Sequence, residues 1–233
     1  TEFPGTVDHI RYMEMMNEIS WNDGGNQAGA QYNVFTEDFI NDYNANHRWT
    51  GSDLYPITNW VDEIIRDYAP STAHGLSLTY GNEFIKTKAS VNYEKEDALY
   101  NNRAFQRITS RVNNKFKIAK FLSADADASL LRSTNEDAVV NPLSSAYKYG
   151  PLWRPYWADG RITEGRNGAN TWARVNYGGF DNTWRDELTG RLALNFTPVK
   201  DLTITGVIAP SIRLAKGKKF VRQVPYYDYG NLA

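Results

Sequence analysis

The sequence has no cysteine among its 233 residues, which excludes a disulfide framework and a thiolate metal site. No apolar run approaches the roughly 20 residues that a membrane-spanning helix requires, so a helical membrane protein is excluded. The net charge of -1 gives no positive electrostatic field that would attract nucleic acid, and we expect no nucleic-acid partner. The three histidines lack ligand spacing, and no nucleophile elbow or phosphate loop is present. The sequence therefore predicts no metal, no cofactor and no enzymatic activity.

Three short helices are predicted within residues 1–72, which otherwise have the composition of a loop. Each predicted start has a side chain that can accept hydrogen bonds from N–H groups of the first turn: Thr6, Thr36 and Asn59. The first helix carries Ile10, Met13 and Met16 along one side and ends at Gly24. Pro70 is predicted to end the third helix.

From residue 74 onward the apolar period changes to two, which indicates β-strands. Leu76, Leu78 and Tyr80 alternate with polar residues, and residues 85–93 continue the alternation as the second strand of a hairpin. Two further pairs of strands are predicted around residues 107–130 and 188–212. Pro210 is predicted to end or bulge the last strand, because it cannot donate to a ladder. About six antiparallel strands are therefore expected.

The connections between these strands alternate between short and long. Turns near residues 82, 120 and 199 have a few residues each, whereas about ten residues precede the third strand and about fifty, from 133 to 183, precede the fifth. Since antiparallel strands end on alternate sides, the short turns fall at one end of the sheet and the long loops at the other. Transmembrane barrels show this asymmetry.

Charged side chains occur in the middle of the strands, on the side opposite the aliphatic residues. We expect them to form cross-strand pairs of opposite charge that line a water-filled lumen. The residues in question are Arg107, Arg111, Lys115 and Lys117 of one strand and Asp125 and Asp127 of the next.

The longest predicted loop contains aromatic and charged residues that form the candidate site for binding a substrate or a partner. Flat aromatic faces suit sugar rings and peptide side chains, and charged groups supply hydrogen bonds. The candidate residues are Trp153, Arg154, Tyr156, Trp157, Asp159 and Trp172. Alternatively, these aromatics pack the loop against itself or belong to an interfacial girdle. Trp49, Tyr55 and Trp60 are predicted to anchor an earlier loop.

Two other classes of protein fit parts of the sequence. A soluble all-β carbohydrate-binding module would have the same alternation, with the polar sides of its strands on the outside. An all-β hydrolase would need two neighbouring carboxylates, and no spacing brings two of the candidates together. Those candidates are Glu94, Glu96, Asp97, Asp159 and Glu164.

The order of several local patterns is similar to that of a known family. These patterns are YMEMMNEI (12–19), YPITNWVDEIIRDYAP (55–70), HGLSLTYGN (74–82), ASVNYEKED (89–97) and RITSRVNNKFKI (107–118). In this order they resemble the SusC-like (RagA-like) branch of TonB-dependent outer-membrane transporters. The resemblance covers residues 5 to 132 by motif and the rest of the chain by strand pattern.

The resemblance implies a nutrient importer of the bacterial outer membrane whose long loops are extracellular. Members of the family are 22-stranded barrels with an internal plug, and they take up oligosaccharides or peptides. The implied partners are a SusD-like surface lipoprotein, the TonB complex that supplies energy, and the surrounding outer-membrane lipid.

The sequence departs from this family in extent, because it has no TonB box, no plug domain and only about six of the expected strands. We therefore expect an all-β fold, an antiparallel transmembrane β-barrel segment with long extracellular loops that contain short α-helices. The chain must therefore be a segment whose remaining barrel comes from other polypeptide, or a part of a longer protein. The expected boundaries are an extracellular loop at 1–72, strands and their connections at 73–214, and a further extracellular loop beginning at 215–233.

Overall fold

The computed structural model describes residues 5–46 and 53–229, and the chain divides into two compact units. The helical unit contains the described parts of Thr1–Asp67, Ala138–Gly179 and Val221–Ala233. The sheet unit contains Tyr68–Asp137 and Phe180–Phe220. Trp49, one of the predicted loop anchors, lies outside the described residues.

The sheet unit is one antiparallel sheet of seven strands. The strands are β1 (Ser71–Gly81), β2 (Ile85–Asp97), β3 (Ala104–Ala119), β4 (Leu122–Asp137), β5 (Gly179–Val199), β6 (Leu202–Ile208) and β7 (Ser211–Val221). Their order follows the chain from β1 to β6, and β7 also pairs with β5. The all-β antiparallel fold expected from the period-two pattern is confirmed.

One face of this sheet carries aliphatic side chains on every strand. The register places Leu76 opposite Val91, Ala89 opposite Val112 and Leu130 opposite Leu188, while Ser110 and Asn114 of β3 interrupt this face. These side chains remain exposed, with Leu76 at 75% and Leu188 at 50% of full accessibility. We call this surface the apolar face. It is formed by Leu76, Leu78, Val91, Ile108, Val112, Ile118, Leu130, Leu188, Leu192, Leu194, Ile204, Ile208, Ile212 and Leu214.

The last predicted strand is divided at Pro210. The prediction of an end or bulge there is confirmed, since β6 ends at Ile208 and β7 begins at Ser211. The carbonyl of Pro210 accepts a hydrogen bond from the Gly190 N–H at 2.9 Å, so the chain stays beside β5 through the interruption. This division accounts for the seventh strand.

Several strands extend further than their apolar pattern indicates. β4 continues to Asp137 and β5 begins at Gly179, which shortens the predicted loop of 133–183 to residues 138–178. β7 continues to Val221, so the strand boundary expected at 214 was wrong. The connection before β3 has six residues, 98–103, in place of about ten. In β4, for example, polar residues from Arg132 to Asp137 continue the backbone ladder after the aliphatic alternation has stopped.

The helical unit contains five helices in its described residues. They are α1 (His9–Asp23), α2 (Glu37–Asn46), α3 (Trp60–Ile64), α4 (Pro142–Ala146) and α5 (Thr171–Tyr177). No helix in the described ranges is both long enough and apolar enough to cross a membrane.

Two of the three predicted capping residues of the first three helices are confirmed. The side chains of Thr36 and Asn59 accept first-turn N–H groups as expected. The expectation for Thr6 was wrong, because Asp8 caps α1 by accepting from the N–H groups of Ile10 and Arg11 at 2.9 and 3.0 Å. The third helix ends at Ile64, before Pro70, since the backbone of the next residue is already extended.

A small apolar cluster joins α1 to α2. Met13, Ile40 and Tyr43 are buried in it, with half-buried residues packed around them. The Tyr43 hydroxyl donates to the Pro56 carbonyl, and burial raises the pKa of Tyr43, so this side chain stays a neutral donor at physiological pH. Trp60 of α3 is buried separately, with its ring centroid 4.6 Å from that of Tyr149. The predicted anchoring role of Trp60 agrees with this burial.

Asn17, buried on α1, holds the segment that leads into α2. Its Oδ1 accepts from the N–H groups of Val34 and Phe35 at 3.1 and 2.9 Å, and its Nδ2 donates to the Phe35 carbonyl at 2.8 Å. One side chain therefore satisfies three backbone groups of a segment that has no regular structure.

We predict that Asn17→Ala loosens this segment, because two N–H groups lose their acceptor inside a partly buried site. The expected cost is about 2 kcal/mol, which accelerates hydrogen exchange of the Val34 and Phe35 amides roughly thirtyfold. The matched control is Asn33→Ala, a change of the same type at an exposed position of the same segment. Equal exchange rates in the two variants would contradict the assigned role of Asn17.

Candidate functional site

The candidate aromatic loop is built around a tight hairpin in the helical unit. Tyr156 and Ile162 form an antiparallel bridge, and the Trp157 N–H donates to the Arg161 carbonyl at 2.8 Å. Gly160 closes the turn with a φ of 88°, a left-handed conformation that glycine adopts without a steric penalty. This hairpin fixes the directions of Tyr156 and Trp157.

The segment after β7 runs beside this hairpin. The Tyr227 N–H donates to the Ile162 carbonyl at 2.9 Å, and the Trp157 Nε1 donates to the Tyr227 carbonyl at 2.6 Å. The Trp157 ring also meets Tyr229 edge to face at 5.7 Å, and the Arg161 guanidinium lies 5.6 Å from the centre of the Tyr227 ring. Sequence reasoning missed this segment because its backbone pairing leaves no periodic signal.

The four candidate aromatic residues are half-buried, and the structure brings only two of them together. The rings of Tyr156 and Trp172 lie 5.0 Å apart. Trp153 instead meets Tyr12 of α1 edge to face at 6.1 Å, and Arg166 lies 5.2 Å from the centre of the Trp153 ring. The packing of the loop against itself, which was an open alternative, accounts for the contact of Tyr156 with Trp172, whereas Trp153 also packs against α1 and Trp157 packs against the segment after β7.

The two charged candidates are neutralised within the same unit. Arg154 pairs with Asp53, which also accepts from the Ala158 N–H at 3.0 Å. Asp159 accepts from the N–H and Nε of Arg161 at 2.9 and 2.6 Å, and these bonds lower the pKa of Asp159. Asp53 was not predicted, because it is 101 residues from Arg154 in sequence and no local pattern connects them.

A buried asparagine joins the hairpin to α5, the helix that carries Trp172. The Asn170 Nδ2 donates to the carbonyls of Pro155 and Thr163 at 2.6 and 2.9 Å, and its Oδ1 caps α5 by accepting from the Ala173 N–H. Both sides of the hairpin are therefore tied to the start of α5. This connection explains why Tyr156 and Trp172 meet.

The six charged residues that were predicted to line a lumen lie on the sheet face opposite the apolar face, which we call the polar face. Their partners differ from those predicted, since Arg107 pairs with Glu94 of β2 at 2.6 Å and not with an acid of β4. Asp127 accepts from Asn113 and from Arg191 of β5 at 2.9 and 3.2 Å.

The predicted pairing of β3 with β4 agrees with the strand register at one position only. Lys115 lies directly opposite Asp125, while serines lie opposite the remaining basic residues of β3. These residues are Arg107, Arg111 and Lys117. The prediction failed elsewhere because each interior strand has two neighbouring strands. The β3–β4 hairpin alone does not show that β2 lies on the other side of β3 and β5 on the other side of β4.

The polar face contains a cavity of about 590 Å³ near the ends of β3, β4 and β5. Arg107, Arg185 and Glu187 contribute charge to its lining, and Phe105 contributes a ring. Within residues 5–46 and 53–229 there is no group of three or more histidine or acidic side chains that could hold a metal ion.

Comparison with models of known protein families finds no match, and no curated protein matches the chain. Solved structures do match. The chain aligns over 96% of its length with 27% of a chain from the RagAB peptide importer in the "closed-closed" state, at 15% identity and a TM-score of 0.68. The chain aligns over 93% of its length with 27% of a chain from the same importer in the "open-open" state, at 15% identity and a TM-score of 0.61.

The chain also aligns over 89% of its length with 23% of a chain from a structure of the RagAB peptide transporter, at 13% identity and a TM-score of 0.59. The chain thus spans about a quarter of the length of the solved chains that it matches. At this level of identity the likeness concerns the fold: the chain folds like part of a RagAB importer chain.

We predict that Asp53→Ala loosens the hairpin more than Asp159→Ala does. The first change leaves the half-buried Arg154 and the Ala158 N–H without their acceptor, at an expected cost of about 2 kcal/mol. The second removes an exposed pair and is expected to cost less than about 1 kcal/mol. Hydrogen exchange of residues 153–163 in the purified protein compares the two variants, and faster exchange in Asp159→Ala would contradict the ranking.

Proposed function

We propose that this chain is part of an outer-membrane transporter that imports peptides or oligosaccharides. The observation that carries the proposal is the two-faced sheet, in which an uncovered aliphatic surface is opposed by a charged one. The fold likeness to the RagAB importer and the sequence resemblance to SusC-like transporters support the same function. No covalent chemistry is assigned to the chain.

Lipid is the environment that suits the apolar face. Exposed aliphatic surface of this extent is unfavourable in water, and in a soluble protein a second layer would cover it. In a bilayer the same surface contacts acyl chains, while the polar face meets water in a lumen. Arg107, Arg111, Lys115, Lys117, Asp125 and Asp127 would then line that lumen.

The height of the apolar face fits a bilayer. On β5, Trp184 and Phe196 lie at the two ends of the aliphatic stretch and are twelve residues apart. At about 3.3 Å per residue and a strand tilt of about 40°, this separation corresponds to roughly 30 Å along the membrane normal. The hydrocarbon core of a bilayer is also about 30 Å thick. Aromatic residues at both ends are typical of interfacial girdles.

The partners follow from the same proposal. Unpaired strand edges are not tolerated in lipid, so β1 and the β6–β7 edge would pair with the remainder of the same barrel. The SusC-like resemblance supplies the SusD-like lipoprotein and the TonB complex as further partners. The outer membrane as the location, and the long connections as extracellular loops, belong to this proposal.

The aromatic loop is the proposed contact surface for the substrate or the lipoprotein. One side of each ring is used in packing, and the exposed remainder of Trp153, Tyr156, Trp157 and Trp172 is available to a ligand. Because Arg154 and Asp159 are paired internally, their proposed role is to position these rings. Peptide is the first substrate to test, since the similar solved importer is described as a peptide importer.

Extraction of outer membranes with detergent tests the transporter proposal. This chain of 26.5 kDa spans 27% of the matched importer chain, so we expect it within a polypeptide of roughly 100 kDa that co-purifies with a lipoprotein. The mass is measured on unboiled material. A soluble species of 26.5 kDa would contradict the proposal and favour a carbohydrate-binding module.

Replacement of Trp157 tests the contact surface. We expect Trp157→Ala to weaken uptake of a labelled peptide mixture about two- to tenfold in apparent affinity, as expected for one aromatic contact of about 0.5–1.5 kcal/mol. The control is Trp21→Ala, which removes a half-buried tryptophan of α1 whose Nε1 also donates to a backbone carbonyl. An oligosaccharide mixture tested in parallel distinguishes the two substrate classes. Equal effects of both variants on both mixtures would exclude the loop as a contact surface.

A further inference from the structure

The cavity on the polar face contains a row of three residues that crosses three strands. The register places Arg107 of β3 and Arg185 of β5 directly opposite Ser133 of β4, one on each side. Neighbouring strands are about 4.8 Å apart, so the two arginine side chains leave the sheet roughly 10 Å from each other. The short serine between two long side chains leaves an open space, which forms part of the cavity of about 590 Å³.

The two arginines of this row differ in their partners. The Arg107 Nη2 donates to Glu94 of β2 at 2.6 Å, and the Arg107 guanidinium lies 5.9 Å from the centre of the Phe105 ring. Arg185 is exposed, and its side chain has no hydrogen bond or ion pair among the described residues. Arg107 is therefore held in place, whereas the five N–H groups of Arg185 remain available in the described part of the chain.

The acidic residue of the cavity does not neutralise Arg185. Glu187 accepts from the Nε and Nη2 of Arg213 at 3.0 and 2.9 Å, and Glu94 pairs with Arg107. Three cations and two anions therefore give the cavity and its bonded partners a net formal charge of +1. Since both acids have partners, this charge is centred on Arg185, and a concave surface with one such cation attracts an anion.

The rest of the lining can complete an anion site. Ser133, Asn135 and Thr183 supply neutral hydrogen-bond donors, and Asn135 lies directly opposite Thr183 in the register. Phe105 and Leu131 add apolar surface. A guanidinium fork matches the two oxygens of a carboxylate through parallel N–H bonds, and the single net positive charge is balanced by one such group.

We propose that this cavity binds a carboxylate group of the transported substrate. Arg185 donates to both oxygens, and the Ser133 hydroxyl and the remaining N–H groups of Arg107 complete the site. This inference rests on the proposed function, in which the polar face lines the lumen, and it names the chemical group that the lumen selects. Every peptide with a free C-terminus carries a carboxylate, whereas a neutral oligosaccharide carries none. The site therefore favours peptides over neutral glycans.

The test is equilibrium binding of peptides to the whole transporter purified in detergent. One sequence without acidic side chains, labelled with an uncharged fluorophore, is compared in three forms: with a free C-terminal carboxylate, as the C-terminal amide, and as the amide with one internal glutamate. We expect the wild type to bind a carboxylate form about tenfold more tightly than the plain amide, as for a charge-assisted hydrogen bond. The preferred form identifies whether the terminus or a side chain supplies the group.

Replacement of Arg185 assigns the preference to this cavity. In Arg185→Gln we expect the preference to disappear while the plain amide binds as it does to the wild type, and in Arg185→Lys, which keeps the charge but not the fork, we expect part of it to remain. The matched control is Lys86→Gln, which removes an exposed cation, also without a partner among the described residues, from the other end of the polar face. An equal loss in Lys86→Gln would assign the preference to the field of the whole face and overturn the site.

Two other results would also overturn the carboxylate site: equal binding of the three peptides by the wild type, or an unchanged preference in Arg185→Gln. A preference for a uronic-acid oligosaccharide alone, lost in Arg185→Gln, would keep the site but overturn peptide as its source. Outer-membrane location and peptide uptake are measured on the same variants. A working peptide importer without the preference contradicts only this site, whereas a soluble species of 26.5 kDa contradicts the proposed function and the site with it.

Discussion

The alternation of side chains along hydrogen-bonded strands is the constraint on which the sheet unit depends. A slip of one residue in any strand would move its aliphatic side chains to the polar face. The register keeps Leu130 opposite Leu188 on one side and Lys115 opposite Asp125 on the other. Cross-strand ion pairs such as Arg107–Glu94 reinforce the same register from the polar face. The apolar face and the proposed lumen both follow from this arrangement.

The helical unit is organised in a different way. Its apolar cluster is small, and its irregular segments are held by polar side chains that satisfy backbone groups. Asn17 holds the approach to α2, Asn170 joins the hairpin to α5, and Asp53 binds both Arg154 and the hairpin backbone. A loop organised by such side chains can present aromatic rings in fixed directions without a large core. Such fixed directions suit the proposed contact surface for a substrate or a partner.

The sequence predicted the strands well because the period of two is a local property that follows directly from the pleat. It also identified the caps Thr36 and Asn59 and the interruption at Pro210. It did not predict the ends of β4 and β7. There the backbone hydrogen bonds to the neighbouring strand continue through mostly polar residues, which show no aliphatic alternation. The partners of Arg107 and Arg154 were missed because they depend on which segments become neighbours in three dimensions. The candidate aromatics were recognised by type, but their separate packing partners were not.

The central claim, that one face of the sheet meets lipid and the other meets water, can be tested with single cysteines because the chain has none of its own. Ser129 and Leu130 are adjacent on β4 and lie on opposite faces. A nitroxide attached at each position in the membrane-embedded protein reports collisions with oxygen, which concentrates in lipid, and with a water-soluble nickel complex. The account predicts that oxygen dominates at Leu130→Cys and nickel at Ser129→Cys. High nickel accessibility at both positions would contradict it.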